Sequence, residues 1–315
     1  MKLAGAWLDA AQPVFRALTG AGHQAWAVGG CVRNALLGVA VSDTDIATDA
    51  RPKQVIAAAE AAGLRAVPTG MDHGTVTLVH DSAGYEVTTL RRDVATDGRH
   101  AVVTFTADLA QDAARRDFTM NALYARPDGQ VIDPLGGLDD LLARDVRFVG
   151  DPAARIAEYY LRILRFFRFV AQYGDPARGI DPDALAACAA LADGLAQLSA
   201  ERVTAELRKL LAAPDPAPAV AAMAQAGVLA RVLPGADARA LAPLVHLEAD
   251  APAQWLRRLA VLGGATDNLR LSRAEARDLT RLRDALGDTA RPSLLGHRLG
   301  DALGRDAVLA RAAVL

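Results

Sequence analysis

The sequence predicts an α+β fold: a small mixed or antiparallel β-sheet flanked by helices, followed by an all-helical remainder of the chain. Three observations predict it. Short β-type or alternating runs, Ala25–Val28, Gly74–Val79 and Tyr85–Leu90, fall early in the chain and read as strands. From Pro152 onward, Ile156, Tyr160, Ile163, Phe167 and Val170 recur at helical spacing. The composition, 52% hydrophobic but only 5% aromatic, suits helices packed through Ala and Leu. At 315 residues the chain supports two or three units. We expect them at 1–145, 146–213 and 214–315.

Composition also narrows the functional classes. The net charge of −2 announces no bulk affinity for nucleic acid, so any RNA binding must rest on local Arg clusters. Cys31 and Cys188 form no C-x-x-C pair. They suit a reducing cytoplasm and argue against a disulfide framework or a zinc site. The six histidines are scattered, with His73 and His80 flanking one strand and His100 further on. No Walker A motif and no G-x-S-x-G occurs. Leu3–Leu18 holds Asp9 and Arg16 and reads as an amphipathic helix, not a signal peptide. No run approaches the roughly 18 apolar residues of a membrane span.

Taken in order, residues 1–24 give an opening helix and a Gly-bearing turn. The strand Ala25–Val28 meets Gly29-Gly30 and a short helix, Cys31–Leu37, closed by Gly38. Glycines at such a turn let backbone N–H groups approach a phosphate. Arg33 in the first helical turn could meet the same phosphate. A second strand carries Asp43, Asp45 and Ile46; two residues apart, the carboxylates share a face. Paired carboxylates beside a triphosphate are what two Mg²⁺ ions need for in-line transfer.

A helix follows over Pro52–Ala62, with Pro in its first turn, then a short strand over Leu64–Pro68. Glu86 alternates with Tyr85 and Val87, and so faces away from them. Arg91–Thr106 is charged and weakly periodic, and reads as a mobile loop. Asp112, Arg115, Arg116, Asp117, Phe118, Thr119 and Asn121 form a second charged cluster. Val131–Pro134 is a strand leading through a tight turn to a helix start at Leu135–Leu141. Pro152–Tyr173 reads as one helix, with Arg155, Glu158, Tyr159, Arg162 and Arg165 opposite its apolar stripe. Glu158 and Arg162 make an i,i+4 pair. Asp181-Pro182-Asp183 opens another helix, Ser199–Leu211 looks capped, and Pro214–Pro218 is a plausible boundary.

These stretches together resemble the class II tRNA nucleotidyltransferase and bacterial poly(A) polymerase family. The first motif, G-G-x-V-R-D-x-L-L-G then D-x-D-I-A-T, is met by Gly29 to Thr48, with Asn34 where the family often has Asp. R-R-D-F-T-x-N-A-L is met from Arg115 to Leu123. The stretch from Leu135 resembles the third motif, a hinge, which Asp139 could hold by capping. E-D-x-L-R-x-L-R is met from Glu158 to Arg165, with Tyr159 at the Asp position. The resemblance covers roughly residues 22–211.

The resemblance implies a catalytic head that adds CMP and AMP to the 3′ end of tRNA with two Mg²⁺ ions, using CTP and ATP. Asp43 and Asp45 would hold the metals and Glu86 would be the third catalytic carboxylate. Gly29, Gly30, Arg33, Arg116, Asp117 and Asn121 would bind the nucleotide, with Arg115 as a weaker match. Glu158, Tyr159, Arg162 and Arg165 would read the base, and Tyr159 implies slower or less selective incorporation. The loop after Arg91 would help the site change from CTP to ATP. Arg162, Arg165 and Arg168 would supply a patch for tRNA, and the family's tRNA-gripping tail would be shortened or missing. Poly(A) synthesis, CC-only or A-only addition, and a non-catalytic RNA-binding scaffold stay open. The poly(A) branch's G-R-[RK]-F is not met by Leu64–Gly74.

Overall fold

The computed structural model describes residues 1–96, 101–249 and 251–315. They form two compact units, Met1–Asp151 and Pro152–Leu315.

The first unit holds a seven-stranded mixed sheet. Its strands are β1 (Ala25–Val28), β2 (Asp45–Thr48), β3 (Arg65–Gly70), β4 (Thr75–His80), β5 (Ala83–Thr89), β8 (Tyr124–Ala125) and β9 (Val131–Ile132), in the order β3-β4-β5-β2-β1-β8-β9. The β2–β5 pair is parallel and the other pairings are antiparallel. Its helices are α1 (Ala6–Gly20), α2 (Gly30–Leu36), α3 (Pro52–Ala61), α4 (Leu109–Ala114) and α5 (Gly137–Ala143). Tight turns join the elements. Asp81 and Ser82 both adopt positive φ, 47° and 65°, which gives the two-residue hairpin between β4 and β5 the twist it needs. Trp26, Val28, Ala47, Leu90, Ala113, Ala122, Tyr124 and Val149 form a continuous apolar cluster on one side of β1 and β2.

The expected loop at Arg91–Thr106 is instead largely a two-stranded sheet of β6 (Arg91–Thr96) and β7 (Ala101–Phe105). The β-branched and aromatic run Val103-Thr104-Phe105 favours extended backbone, and Phe105 is anchored against Gly74. The expectation of a loop at residues 97–100, His100 included, lies outside the described residues.

The cap of α5 also differs from expectation. Asp133, not Asp139, caps it: Oδ1 accepts from the Gly137 N–H at 2.9 Å and Oδ2 from Leu138 at 2.9 Å. Asp140 accepts from the Thr119 hydroxyl at 2.8 Å.

The second unit is helical among its described residues. It runs through α6 (Pro152–Glu158), α7 (Leu161–Tyr173), α8 (Pro182–Ala190) and α9 (Ala200–Leu211). It continues with α10 (Ala217–Gln225), α11 (Val228–Val232), α12 (Leu241–Glu248), α13 (Trp255–Leu262), α14 (Arg273–Leu286), α15 (Pro292–Leu299) and α16 (Asp301–Val314). Asp181 caps α8 through the N–H groups of Asp183 and Ala184. Ser199 stands at the start of α9 but makes no side-chain cap bond.

The Pro-rich segment after α9 is tied down. Buried Arg258 donates to the carbonyls of Leu211 at 2.7 Å and Pro214 at 3.1 Å, and pairs with buried Glu248 at 2.6 Å. Arg257 shares that carboxylate at 2.7 Å. A buried charge is tolerable only when paired and hydrogen-bonded in this way. No helix among the described residues is long and apolar enough to cross a membrane. Both cysteines are buried and free.

Candidate active site

The acidic residues come together through strand pairing. β2 begins at Asp45, so Asp43 lies just before the strand rather than within it. The alternation still holds, since Thr44 is buried while Asp43 and Asp45 are exposed. In the parallel β2–β5 ladder Asp45 is the partner of Glu86, which is also exposed. Residues paired across a ladder present side chains on the same face, so two like charges meet there. Partial loss of solvent, then the Glu86 charge, raises the Asp45 carboxyl above its ordinary pKa; Arg116 opposes this and Asp43 adds to it. Asp45 therefore feels both other acids, and Arg116 lies near enough to oppose them.

The glycine turn lies beside these groups. Gly29 adopts φ 72°, a conformation strained for any residue with a Cβ. A Cβ there would also stand only 3.4 Å from Nη1 of Arg116. Gly30 opens α2, and Arg33 on its next turn is buried. Arg33 donates to Oδ1 of Asn121 at 2.5 Å and to Oδ1 of Asn34 at 3.1 and 2.9 Å. Asn34 thus holds the guanidinium as an acceptor without adding charge. Asn121 donates in turn to Asp117 at 2.9 Å. Gly29, Gly30, Arg33, Arg116, Asp117 and Asn121, distant in sequence, form one contiguous group.

Behind Arg116 is a network that sequence reasoning noted only as charges. Asp112 is buried; it pairs with Arg115 at 2.7 Å and Arg116 at 2.9 Å, and accepts from the Tyr124 hydroxyl at 2.7 Å. Arg116 also donates through Nε to Tyr124 at 3.1 Å. Burial pushes the Asp112 carboxyl up, but the Arg116 and Arg115 charges, with hydrogen bonds from Tyr124 and Arg115, prevail and hold it at about 2. The i,i+3 and i,i+4 spacing from Asp112 to the two arginines was the available signal. Nothing local marked Tyr124 as their partner.

In the second unit the segment expected to read the base is not one helix. It breaks at Tyr159-Tyr160 between α6 and α7. The Glu158 carboxylate accepts from Arg155 at 2.9 Å and from Arg162. The Tyr159 hydroxyl accepts from Arg202 at 2.8 Å. Arg165 lies 3.8 Å from Glu206 and 5.6 Å from the Phe169 ring. Arg168 does not join an exposed patch. It is buried and donates to Glu206 at 2.5 Å and to Gln172 at 3.0 Å, because α7 packs against α9, which carries Glu206.

Glycines, guanidinium groups and carboxylates gathered over one sheet face define the class as a nucleotidyltransferase head. A family profile described as Poly A polymerase head domain matches residues 25–147. A second, described as Probable RNA and SrmB- binding site of polymerase A, matches residues 179–239. The chain is similar to the CCA-adding enzyme of Bacillus stearothermophilus, solved as a crystal structure in complex with CTP. The TM-score is 0.81 at 32% identity, over 99% of this chain and 79% of that one. The chain therefore belongs to the CCA-adding enzyme family. It is 40% identical over 249 residues to the CCA-adding enzyme of Geobacillus thermodenitrificans, covering 78% of this chain and 56% of that protein. It is 46% identical over 190 residues to the mitochondrial CCA tRNA nucleotidyltransferase 1 of Homo sapiens, covering 60% and 44%. The chain thus spans about half the length of the curated relatives it matches. Nucleotidyltransferases of this family generally use a divalent metal.

Proposed function

We propose that this chain adds CMP and AMP, drawn from CTP and ATP, to the 3′ end of tRNA without a template. The observation that carries the reading is the pairing of Asp45 with Glu86 across parallel strands, with Asp43 beside them and Arg116 opposite. Asp45 and Glu86, neighbours across the ladder with the Asp43 charge felt at Asp45, repel, and a divalent cation would relieve that repulsion. Among the described residues no three acidic, His or Cys side chains are gathered closely enough to hold a metal ion by themselves. That is compatible with Mg²⁺, which one or two carboxylates hold together with waters and substrate phosphates. Asp43 and Asp45 would hold it, with Glu86 joining. Mg²⁺ supplies Lewis acidity to the α-phosphate and lowers the pKa of the attacking hydroxyl.

The remaining steps fall to the chain's own side chains. Gly29, Gly30, Arg33 and Arg116 bind the triphosphate, and Asp117 and Asn121 orient the ribose. The primer 3′ oxygen bonds to the α-phosphorus as the bond to pyrophosphate breaks. Residues 1–145 serve as catalytic head, 146–213 as base-reading neck and 214–315 as body. A cytoplasmic setting accords with two free thiols.

Incorporation of labelled CTP and ATP into tRNA ending before C, after C and after CC tests this reading. Full CCA addition is expected. Tracts of A on any primer would indicate a poly(A) polymerase, stalling at CC or at A a partial enzyme, and RNA binding with no incorporation a scaffold.

A further inference from the structure

The row of side chains that sets Asp45 against Glu86 does not end at those acids. On the far side of β5, Thr77 of β4 is the direct antiparallel partner of Glu86, so its side chain shares their face. One strand further, the Thr69 hydroxyl of β3 lies 2.9 Å from that of Thr77. The row Asp45, Glu86, Thr77, Thr69 thus crosses β2, β5, β4 and β3. A second hydroxyl pair, Thr75 and Thr88 at 3.1 Å, runs beside it. The opposite face of these strands is covered. Val76, Leu78 and Val87 are buried there, and the Tyr85 hydroxyl donates to the Ala10 carbonyl of α1 at 2.9 Å. On the threonine face Glu86 and Thr69 are exposed and Thr77 is partly so.

The sheet order puts β1 on one side of β2 and β5 on the other. Gly29 follows β1, donates to the Leu123 carbonyl just before β8 at 3.1 Å, and lies against Arg116. The groups assigned to the triphosphate therefore stand on the β1 side of Asp45. In an in-line displacement the attacking oxygen and the departing pyrophosphate stand on opposite sides of the α-phosphorus. With pyrophosphate on the β1 side, the primer's 3′-hydroxyl comes from the β5 side, over Glu86. Thr77 is the next side chain beyond, at the ~4.5–5.5 Å Cβ spacing of directly opposed residues. The group beside the attacking oxygen is the 2′-hydroxyl of the same ribose. We propose, on the reading of Asp45 and Glu86 as catalytic acids, that Thr77 binds the 2′-hydroxyl of the primer's last residue. Thr69 is a positioning residue that orients the Thr77 hydroxyl. A threonine suits this place better than a basic side chain. It both donates and accepts, and it adds no charge beside acids that hold a metal. The group it meets is the one that tells RNA from DNA.

The test uses the full chain and tRNA ending in CC, with either ribose or 2′-deoxyribose at its last residue. AMP incorporation gives the KM for each tRNA and for ATP. In the unmodified chain the deoxy end should raise the tRNA KM about fivefold, the loss of one ordinary hydrogen bond. Thr77→Val keeps the shape and the β-branching. It should raise the KM of the ribose end by the same factor and move that of the deoxy end by less than about twofold. Thr77→Ser should restore the preference, and Thr69→Val should lower it about twofold. The KM for ATP should move by less than about twofold in each variant, a split that damage to the sheet would not give. Removing the 2′-oxygen also alters the neighbouring 3′-hydroxyl, but equally in every variant. A ribose preference that survives Thr77→Val overturns the proposal, and so does a rise shared equally by ATP and tRNA. Dissociation constants of the two tRNAs, read by fluorescence anisotropy, separate this assignment from the proposed reaction. A binding preference for ribose that Thr77→Val removes, in a chain that incorporates nothing, would sink the reaction and leave Thr77 assigned. Incorporation with one KM for both ends would do the reverse.

Discussion

The two places proposed to handle the nucleotide are built on opposite plans. In the head, functional groups are locked by buried, mutually satisfied bonds: Asp112 is met by Arg115, Arg116 and Tyr124, and Arg33 by Asn34 and Asn121. In the segment from Glu158 to Arg165 the chain leaves helical geometry at Tyr159-Tyr160, and its polar groups, partly exposed at Glu158, Tyr159 and Arg165, are held by neighbours on other helices. A triphosphate is the same in every NTP, so a rigid cradle serves it. On the proposed reading, two bases must be accepted and two refused. Preorganised charge favours the first task, and matched polarity the second.

The head side of this contrast breaks most completely at the acids. Asp43→Ala or Asp45→Ala should abolish nucleotide incorporation, a loss of ~10³-fold or more, since metal-borne charge stabilisation is worth several kcal/mol. Thermal unfolding should stay close to that of the unmodified chain, because both side chains are exposed. Comparable incorporation by either variant at saturating Mg²⁺ would remove the metal role. Glu86→Ala should be severe in the same assay.

Next in size is the support behind Arg116. Asp112→Ala leaves two guanidinium groups facing a buried void and should cost ~3–5 kcal/mol in denaturant unfolding. The carboxyl also sets a pH dependence of known sign. Its folded pKa, about 2, lies below the usual ~3.9 of an unfolded Asp. Its contribution is therefore fully present above pH ~4 and is lost as pH falls from there towards 2. At roughly 1.4 kcal/mol per pKa unit this is of order 2 kcal/mol. Unfolding curves between pH 5 and 2 should show a steeper fall in the unmodified chain than in Asp112→Asn. Parallel falls would mean that other carboxylates dominate acid unfolding.

How much of this was legible follows the range of each interaction. The strand–Gly-Gly–helix turn, the Asp43 and Asp45 alternation, and the helix start at Asp181-Pro182 are written in neighbours a few residues apart, and they stand where the sequence put them. Glu86 could be recognised as wet-faced from its own strand, and the ladder set it against Asp45. Long-range partners were hidden. The neck helix breaks at Tyr159-Tyr160, where the Tyr160 ring lies against Gly194, and no periodicity reveals a partner that far along the chain. Arg168 looked like surface until Glu206, on another helix, claimed it. Nothing within Ser199–Leu211 marks Arg202 as the partner of the Tyr159 hydroxyl. Asp139 was a reasonable cap on proximity, yet Asp133 reaches the α5 N–H groups from across the turn.

On the neck side, Gly194→Ala sharpens the comparison. The new methyl would collide with the Tyr160 ring, and overpacking of this kind costs typically ~1–3 kcal/mol. We expect that loss in denaturant unfolding, together with a reduced CTP-over-UTP ratio as Glu158 and Arg162 shift. Head chemistry, read as the rate at saturating CTP, should fall by less than about threefold. A variant that keeps both stability and base ratio would show that the break does not depend on the close approach of Tyr160 to Gly194.

The smallest expected effect concerns Asn34. Its Oδ1 accepts two bonds from Arg33, while its Nδ2 donates to the Ala40 carbonyl at 3.3 Å in exposed surroundings. Asn34→Asp keeps the acceptor and gives up only that long bond. The bonds to Arg33 become charge-assisted, so stability should rise by a few tenths of a kcal/mol, the scale of a partly exposed ion pair. The added negative charge also offsets part of the guanidinium field offered to a triphosphate. The KM for CTP should therefore rise about twofold at low salt, and the difference should shrink as salt screens it. A KM that falls instead would mean that the orientation of Arg33, rather than its charge, limits triphosphate binding. In that case Asn34→Ala, which removes the acceptor altogether, should raise the KM well beyond either form.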